Sequence, residues 1–254
     1  MKLHYRKTGE GKPLILLHGL FGSADNLTTA AKAIAEEGFA CYLVDQRNHG
    51  RSPHSFDFTY EAMAEDLREL LEAEELSVVD LLGHSMGAKA IMFFARKYSR
   101  MIKRMIVVDM APRYYAPHHQ QVIAAIHAVE PSTIATRAEA EVRMRTVLND
   151  EGVIQFLLKN LYRNDQGNYA WRFGLDEIEK NIEEVGKALP MDKPINVPTL
   201  FLKGEKSDYL TSSDKEEILK VFPEAQFKSI AGAGHWVHAE QPEEFLQAVL
   251  DYLL

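Results

Sequence analysis

Five short apolar runs constrain this chain more than any other feature: PLILLHG (13–19), FACYLVD (39–45), VVDLLG (78–83), RMIVVD (104–109) and PTLFLKG (198–204). Their apolar residues are consecutive rather than alternating, as expected of strands covered on both faces, and each run ends at Gly or Asp. Helical patterns lie between them at 25–37, 60–75 and 86–98. Strands alternating with helices predict a mostly parallel sheet with right-handed crossovers and helices on both faces. AQFKSI (225–230) adds a strand, QPEEFLQAVLDYLL (241–254) a closing helix, and KLHYRKTG (2–9) an alternating first strand of edge character.

The alternation breaks between Pro112 and Pro194. Helical patterns near 118–129, 132–148, 151–160 and 175–187 follow one another there without a convincing strand. We expect a helical cap, inserted before the last two strands and lying over the carboxyl edge of the sheet, where open α/β sheets place their ligands. The expected division is a core of 1–111 and 195–254 and a cap of 112–194, in a single globular unit. A chain of 254 residues with 46% hydrophobic residues can bury a sizeable core.

The formal charge of −8, with no basic stripe, argues against nucleic acid as a partner. The only cysteine, Cys41, sits inside an apolar run and reads as a small buried hydrophobe. No run approaches a membrane span, and residues 1–13 lack the apolar stretch of a signal peptide. The expectation is a cytoplasmic protein, monomer or homodimer, acting on a small molecule.

The strand 78–83 runs straight into Gly83-His84-Ser85-Met86-Gly87, and a helical pattern follows at once. This is G-x-S-x-G in the strand–turn–helix setting that the motif needs. So sharp a turn crowds its neighbours and demands small residues on either side of the serine. A chance match somewhere in such a chain has a probability of roughly one in ten, which the flanking strand and helix reduce further. Ser85 is the candidate nucleophile, and a serine needs a general base. His235, in the Gly-rich loop GAGHWVH after the last strand, has the right place in the chain order. His18 and His84 lie in motif loops and read as structural; His4, His54, His118, His119 and His127 have no motif context, and His238 reads as a surface residue at a helix start. No H-E-x-x-H or comparable spacing suggests a metal.

Two aspartates can supply the acid: Asp109, ending the strand MIVVD, and Asp208, in GEKSDYL after the next strand. The oxyanion requires two backbone N–H groups. Met86, the residue after the nucleophile, supplies one, and the loop HGLFGS (18–23) supplies the other, for which Leu20 is favoured.

Together HGLFGS, DQRNHGRS (45–52), GHSMG and GAGHWVH, in order along nearly the whole chain, resemble the α/β-hydrolase superfamily. HGLFGSADNL, DQRNHGRSP, GHSMGAK, VVDMAP and YAWRFGLD (169–176) look like the YbfF-type bacterial esterases. The resemblance implies hydrolysis of carboxylic esters or acyl thioesters through an acyl-enzyme, with no cofactor. The common superfamily pattern puts the acid where this chain has Ser207. The YbfF-type group resembles this chain in lacking that acid and taking it from the preceding strand, which maps onto Asp109 rather than Asp208. Carbon–carbon bond hydrolases and perhydrolases share the serine triad and stay open, as does a hydrolase-fold ligand sensor. A dinucleotide-binding reading fails, because HGLFGS lacks the full G-x-G-x-x-G.

Overall fold

The strands that the apolar runs predict all form, in a computed structural model that describes residues 1–254. In chain order the core begins with β1 (Tyr5–Thr8), β2 (Lys12–Leu17), α1 (Thr28–Glu36), β3 (Phe39–Val44), α2 (Tyr60–Ala73), β4 (Val79–His84), α3 (Met86–Tyr98) and β5 (Ile102–Val108). The inserted segment carries α4 (Gln120–His127), α5 (Arg137–Arg145), α6 (Glu151–Leu158), β6 (Leu161–Arg163), β7 (Tyr169–Trp171), α7 (Leu175–Lys180) and α8 (Ile182–Gly186). The chain then returns through β8 (Thr199–Gly204), α9 (Lys215–Val221), β9 (Ala225–Ile230), α10 (Val237–Glu240) and α11 (Pro242–Leu253).

Seven strands form one sheet in the order β1-β3-β2-β4-β5-β8-β9. Only β1 runs antiparallel, on the edge beside β3, and the other pairings are parallel. Each strand sends alternate residues to opposite faces, and the two faces divide the core. Ile15, Leu17, Tyr42, Val44, Leu81 and Val107 join the apolar cluster with residues of α2, α3 and the inserted segment. Leu14, Leu16, Cys41, Leu43, Leu82 and Ile106 join the other, with residues of α1 and α11. Cys41 is buried there as a free thiol. No helix is long and apolar enough to cross a membrane.

The order reverses between β2 and β4, because the chain leaves β2 for β3 on one side and returns to lay β4 on the other. A crevice at the carboxyl ends of those two strands is the expected ligand site of an open sheet. The loop after β2 and the turn after β4 are the two motif segments.

The inserted segment is not all-helical as expected. β6 and β7 pair antiparallel in a three-residue hairpin closed around Asn164 to Asn168, with Gly167 at φ +81°. Strands of three residues are too short to print a periodicity on the sequence. The pattern at 175–187 divides at Asn181, whose amide donates to the carbonyls of Phe56 and Glu177. The pattern at 132–148 starts only at Arg137, where Thr136 caps the helix by accepting from the Glu139 amide.

Lys89, fully buried on α3, ties the chain just after β5 and the end of α8 to that helix. Its ammonium donates to the carbonyls of Arg113 at 2.8 Å, Gly186 at 3.0 Å and Lys187. Lys89→Met keeps the stem and removes the donors, leaving the Arg113 and Lys187 carbonyls unpaired, while the Gly186 carbonyl still accepts from the Tyr115 amide at 2.9 Å. Each unpaired buried group costs roughly 1 kcal/mol or more, so the variant should lose about 2 kcal/mol of stability. Urea unfolding measures this, and a loss well under ~1 kcal/mol would show that the carbonyls find other partners.

Candidate active site

Ser85 sits on a strained turn between β4 and α3, at φ +54° and ψ −118°. That conformation is rare for a side-chain-bearing residue and persists because the surroundings over-determine it. The Ser85 amide donates to the Val108 carbonyl at 3.0 Å, which pins the turn to β5. A Cβ on Gly83 would lie 2.4 Å from the Gly87 carbonyl oxygen, and one on Gly87 would lie 2.5 Å from that of Leu17. Both glycines of the motif are therefore steric necessities.

His235, in the loop between β9 and α10, reaches the serine. The Ser85 Oγ lies 3.0 Å from its Nε2, and its Nδ1–H donates to Asp109 Oδ2 at 2.7 Å. Asp109 is fully buried just past β5 at φ +51°. Its Oδ1 accepts from the Gly204 amide at 3.2 Å, and its Oδ2 also accepts from the Ser207 hydroxyl. The fold brings Asp109 to the histidine and leaves Asp208 exposed, with only its carbonyl engaged, by Arg113. Ser207 thus fixes the Asp109 carboxylate that meets His235.

The amides of Leu20 and Met86 donate to no protein acceptor, whereas those of Phe21, Gly22 and Ser85 are committed. Phe21 donates its amide to His49 Nε2 at 3.0 Å, and Gly22 donates to the Gly19 carbonyl at 3.0 Å. His49 is set by donating its Nδ1–H to the Arg47 carbonyl at 2.9 Å, so the segment DQRNHG holds the loop that carries Leu20. His18 donates from Nδ1 to the Gly19 carbonyl and accepts at Nε2 from the Gln46 amide. These are the structural roles expected of motif-loop histidines. The Met86 amide opens α3, whose N-terminal end adds a favourable field for developing negative charge.

Ser85 and His235 open on a cleft of about 220 Å³, with Leu20, Phe21, Val122, Val153, Phe156 and Trp236 on its apolar walls. Phe21 is buried and meets Phe173 edge-on at 5.3 Å, and Phe173 stacks on Trp171 at 5.1 Å. Those two aromatics back the wall. Tyr114 is exposed.

Sequence reasoning missed two groups around His235. Tyr209 lays its ring on His235 at 4.0 Å and 22°, accepts at its carbonyl from the Tyr115 hydroxyl, and donates its own hydroxyl to His118 Nε2. His238, expected at the surface, packs against His84 at 4.8 Å and lines the cleft. Neither carries a sequence signal, because both act through packing across loops distant in the chain. His84 donates from Nε2 to the His235 carbonyl at 2.8 Å. Burial holds the imidazoles of His84 and His18 below their ordinary range, pushes His49 down to about 3 and pushes His238 down to about 4.

Residues 12–242 match the profile of the alpha/beta hydrolase fold family. The chain is 38% identical over 261 residues to the esterase YbfF of Escherichia coli strain K12, covering all of this chain and 99% of that protein. It is 39% identical over 247 residues to the mouse (Mus musculus) sn-1-specific diacylglycerol lipase ABHD11, covering 94% of this chain and 80% of that protein. A solved marine microorganism esterase superimposes with a TM-score of 0.95 at 44% identity, covering 99% of both chains. On this family match, and on relatives aligned over nearly its full length, the chain belongs to the α/β-hydrolase family, within the group typified by YbfF.

Proposed function

We propose that this chain is a serine ester hydrolase that cleaves carboxylic esters or acyl thioesters through an acyl-enzyme at Ser85. The observation that carries the reading is the line from Ser85 Oγ through His235 to Asp109, at 3.0 Å and 2.7 Å, beside two uncommitted amides. The Ser85 oxygen attacks the substrate carbonyl as His235 Nε2 takes its proton. Asp109 holds the Nδ1–H tautomer and stabilises the imidazolium that forms. The Leu20 and Met86 amides hold the tetrahedral oxyanion. His235 then returns the proton to the departing alcohol or thiol, and water repeats the sequence to free the acid. The esterase and lipase names of the full-length relatives support the same reading.

Residues 112–194 act in this proposal as a cap over a core made of 1–111 and 195–254. The cap brings His118, His119, Val122, Val153, Phe156 and Leu157 to the cleft. A space of about 220 Å³ is small beside the roughly 300 to 1,000 Å³ of sites for drug-sized ligands, which favours short acyl groups.

Hydrolysis of p-nitrophenyl esters from acetate to palmitate tests the reading. Wild type should turn them over with an optimum among the short chains. Ser85→Ala should lower kcat by about 10⁴-fold or more, since removing the nucleophile disables the triad as a unit. A folded wild type inert on every ester overturns the proposal.

A further inference from the structure

Of the six histidines that line the cleft, two make no hydrogen bond to the protein. His18, His118 and His235 each engage both ring nitrogens with protein partners, and His84 engages its Nε2. His119, just before α4, and His238, in α10, line the same cleft and engage neither. Only four buried side-chain polar atoms in the chain lack a partner: Gln46 Oε1, the Tyr252 hydroxyl, and the Nδ1 of these two histidines. Folded proteins leave few such atoms, because an unpaired buried polar group is costly. Two of the four belong to rings that line one cleft, so neither His119 nor His238 is committed to a protein partner at either nitrogen.

The tautomer follows from burial. Desolvation first, and then the neighbouring imidazoles, push both His119 and His238 down to about 4, so both rings are neutral near pH 7. A neutral imidazole carries one N–H and one bare nitrogen. An unpaired buried acceptor is tolerated better than an unpaired donor, so the buried Nδ1 is the bare nitrogen and Nε2 carries the hydrogen. Neither Nε2 is among the buried unpaired atoms, which leaves both as accessible donors. His238 packs on His84 at 4.8 Å, and His84 lies 4.8 Å from His235. His119 lies 4.2 Å from His118, which bonds the Tyr209 hydroxyl over the other contact of His235. Each donor is thus one or two rings removed from the imidazole that acts on the scissile bond.

We propose that His119 and His238 are specificity residues that recognise a second oxygen acceptor of the substrate, a hydroxyl, ketone or further ester carbonyl near the scissile ester. This rests on the esterase reading and narrows its substrate class from plain alkyl esters to oxygenated ones. A plain hydrocarbon in the cleft leaves both donors unpaired, whereas an oxygenated ester satisfies them. The oxygen belongs to the acyl side in hydroxy- and oxo-acyl esters and to the alcohol side in partial esters of polyols.

The test compares kcat/KM for ethyl butyrate, ethyl 3-hydroxybutyrate and 2-hydroxyethyl butyrate, each divided by its rate of hydrolysis by hydroxide. The second and third compounds put the extra oxygen on the acyl and alcohol side respectively. Wild type should favour at least one oxygenated ester by about tenfold, the worth of one hydrogen bond. His119→Phe or His238→Phe, which keep an aromatic ring without its nitrogens, should bring that ratio close to one. Reading a ratio cancels any general loss from repacking. Equal normalised rates on all three esters in wild type overturn the inference without any variant, as does a preference that survives in both variants. Turnover of ethyl butyrate that disappears in Ser85→Ala upholds the esterase reading even then, so the two failures are distinguishable.

Discussion

Asp109→Asn will lower kcat for ester hydrolysis by about 10⁴-fold, the order of loss when a serine triad surrenders its acid, with the fold intact. The asparagine oxygen can still accept from the Gly204 amide, which now donates to Asp109 Oδ1. Its NH₂ group would occupy the place of Oδ2, which now accepts from His235 Nδ1 and the Ser207 hydroxyl. An NH₂ cannot accept there, so the imidazole moves its hydrogen to Nε2. That nitrogen then faces Ser85 Oγ as a donor and cannot take its proton. Asp208→Asn, by contrast, should stay within about twofold of wild type, as exposed substitutions away from special features do. Steady-state kinetics of the two variants decides between the aspartates. A large loss in Asp208→Asn with little in Asp109→Asn would reverse the assignment.

Stability should fall steeply as pH drops below about 6.5, because several buried and half-buried histidines are neutral in the folded chain and take up protons once unfolded. His49 is pushed down to about 3 and His119 and His238 to about 4, in each case foremost by burial; His18 and His84 move in the same direction. The folded pKa values lie below the unfolded one, so the unfolded state binds more protons throughout the interval. The stability these residues contribute is present above pH 6.5 and is lost as pH falls toward their folded values. One pH unit is worth about 1.4 kcal/mol per group, so His49, His119 and His238 together cost about 4 kcal/mol for each unit below 6.5. A domain's whole margin is roughly 5–15 kcal/mol, so the chain should be close to unfolding near pH 5. Urea midpoints from pH 8 down to 5 measure the slope, and a flat profile between 7 and 5 would contradict it.

Much of the core and site was legible because both follow from local pattern. Consecutive apolar runs mark strands covered on both faces, and α3 begins and ends at the residues the pattern marks. Ser85 is legible because its turn demands glycines at 83 and 87, and that steric demand is written in adjacent residues. The inserted segment was less legible. Three residues per strand in β6 and β7 carry no period, and the break at Asn181 depends on a carbonyl of Phe56, far away in the chain.

The sequence by itself determined the α/β class, through its alternation of apolar runs and helical patterns, and marked Ser85, His235 and the Met86 amide as candidates, through the steric demands of one turn and the order along the chain. The tertiary structure decided which carboxylate meets His235. Asp109 and Asp208 both follow strands at the same sheet edge, but only the packing of β5 against β8 buries Asp109 between Gly204, Ser207 and His235. It also decided that Tyr209 covers the imidazole and that His119 and His238 face the cleft with nothing to bond. Side-chain contacts between segments distant in the chain arise from how layers stack, and no pattern within a single segment encodes them.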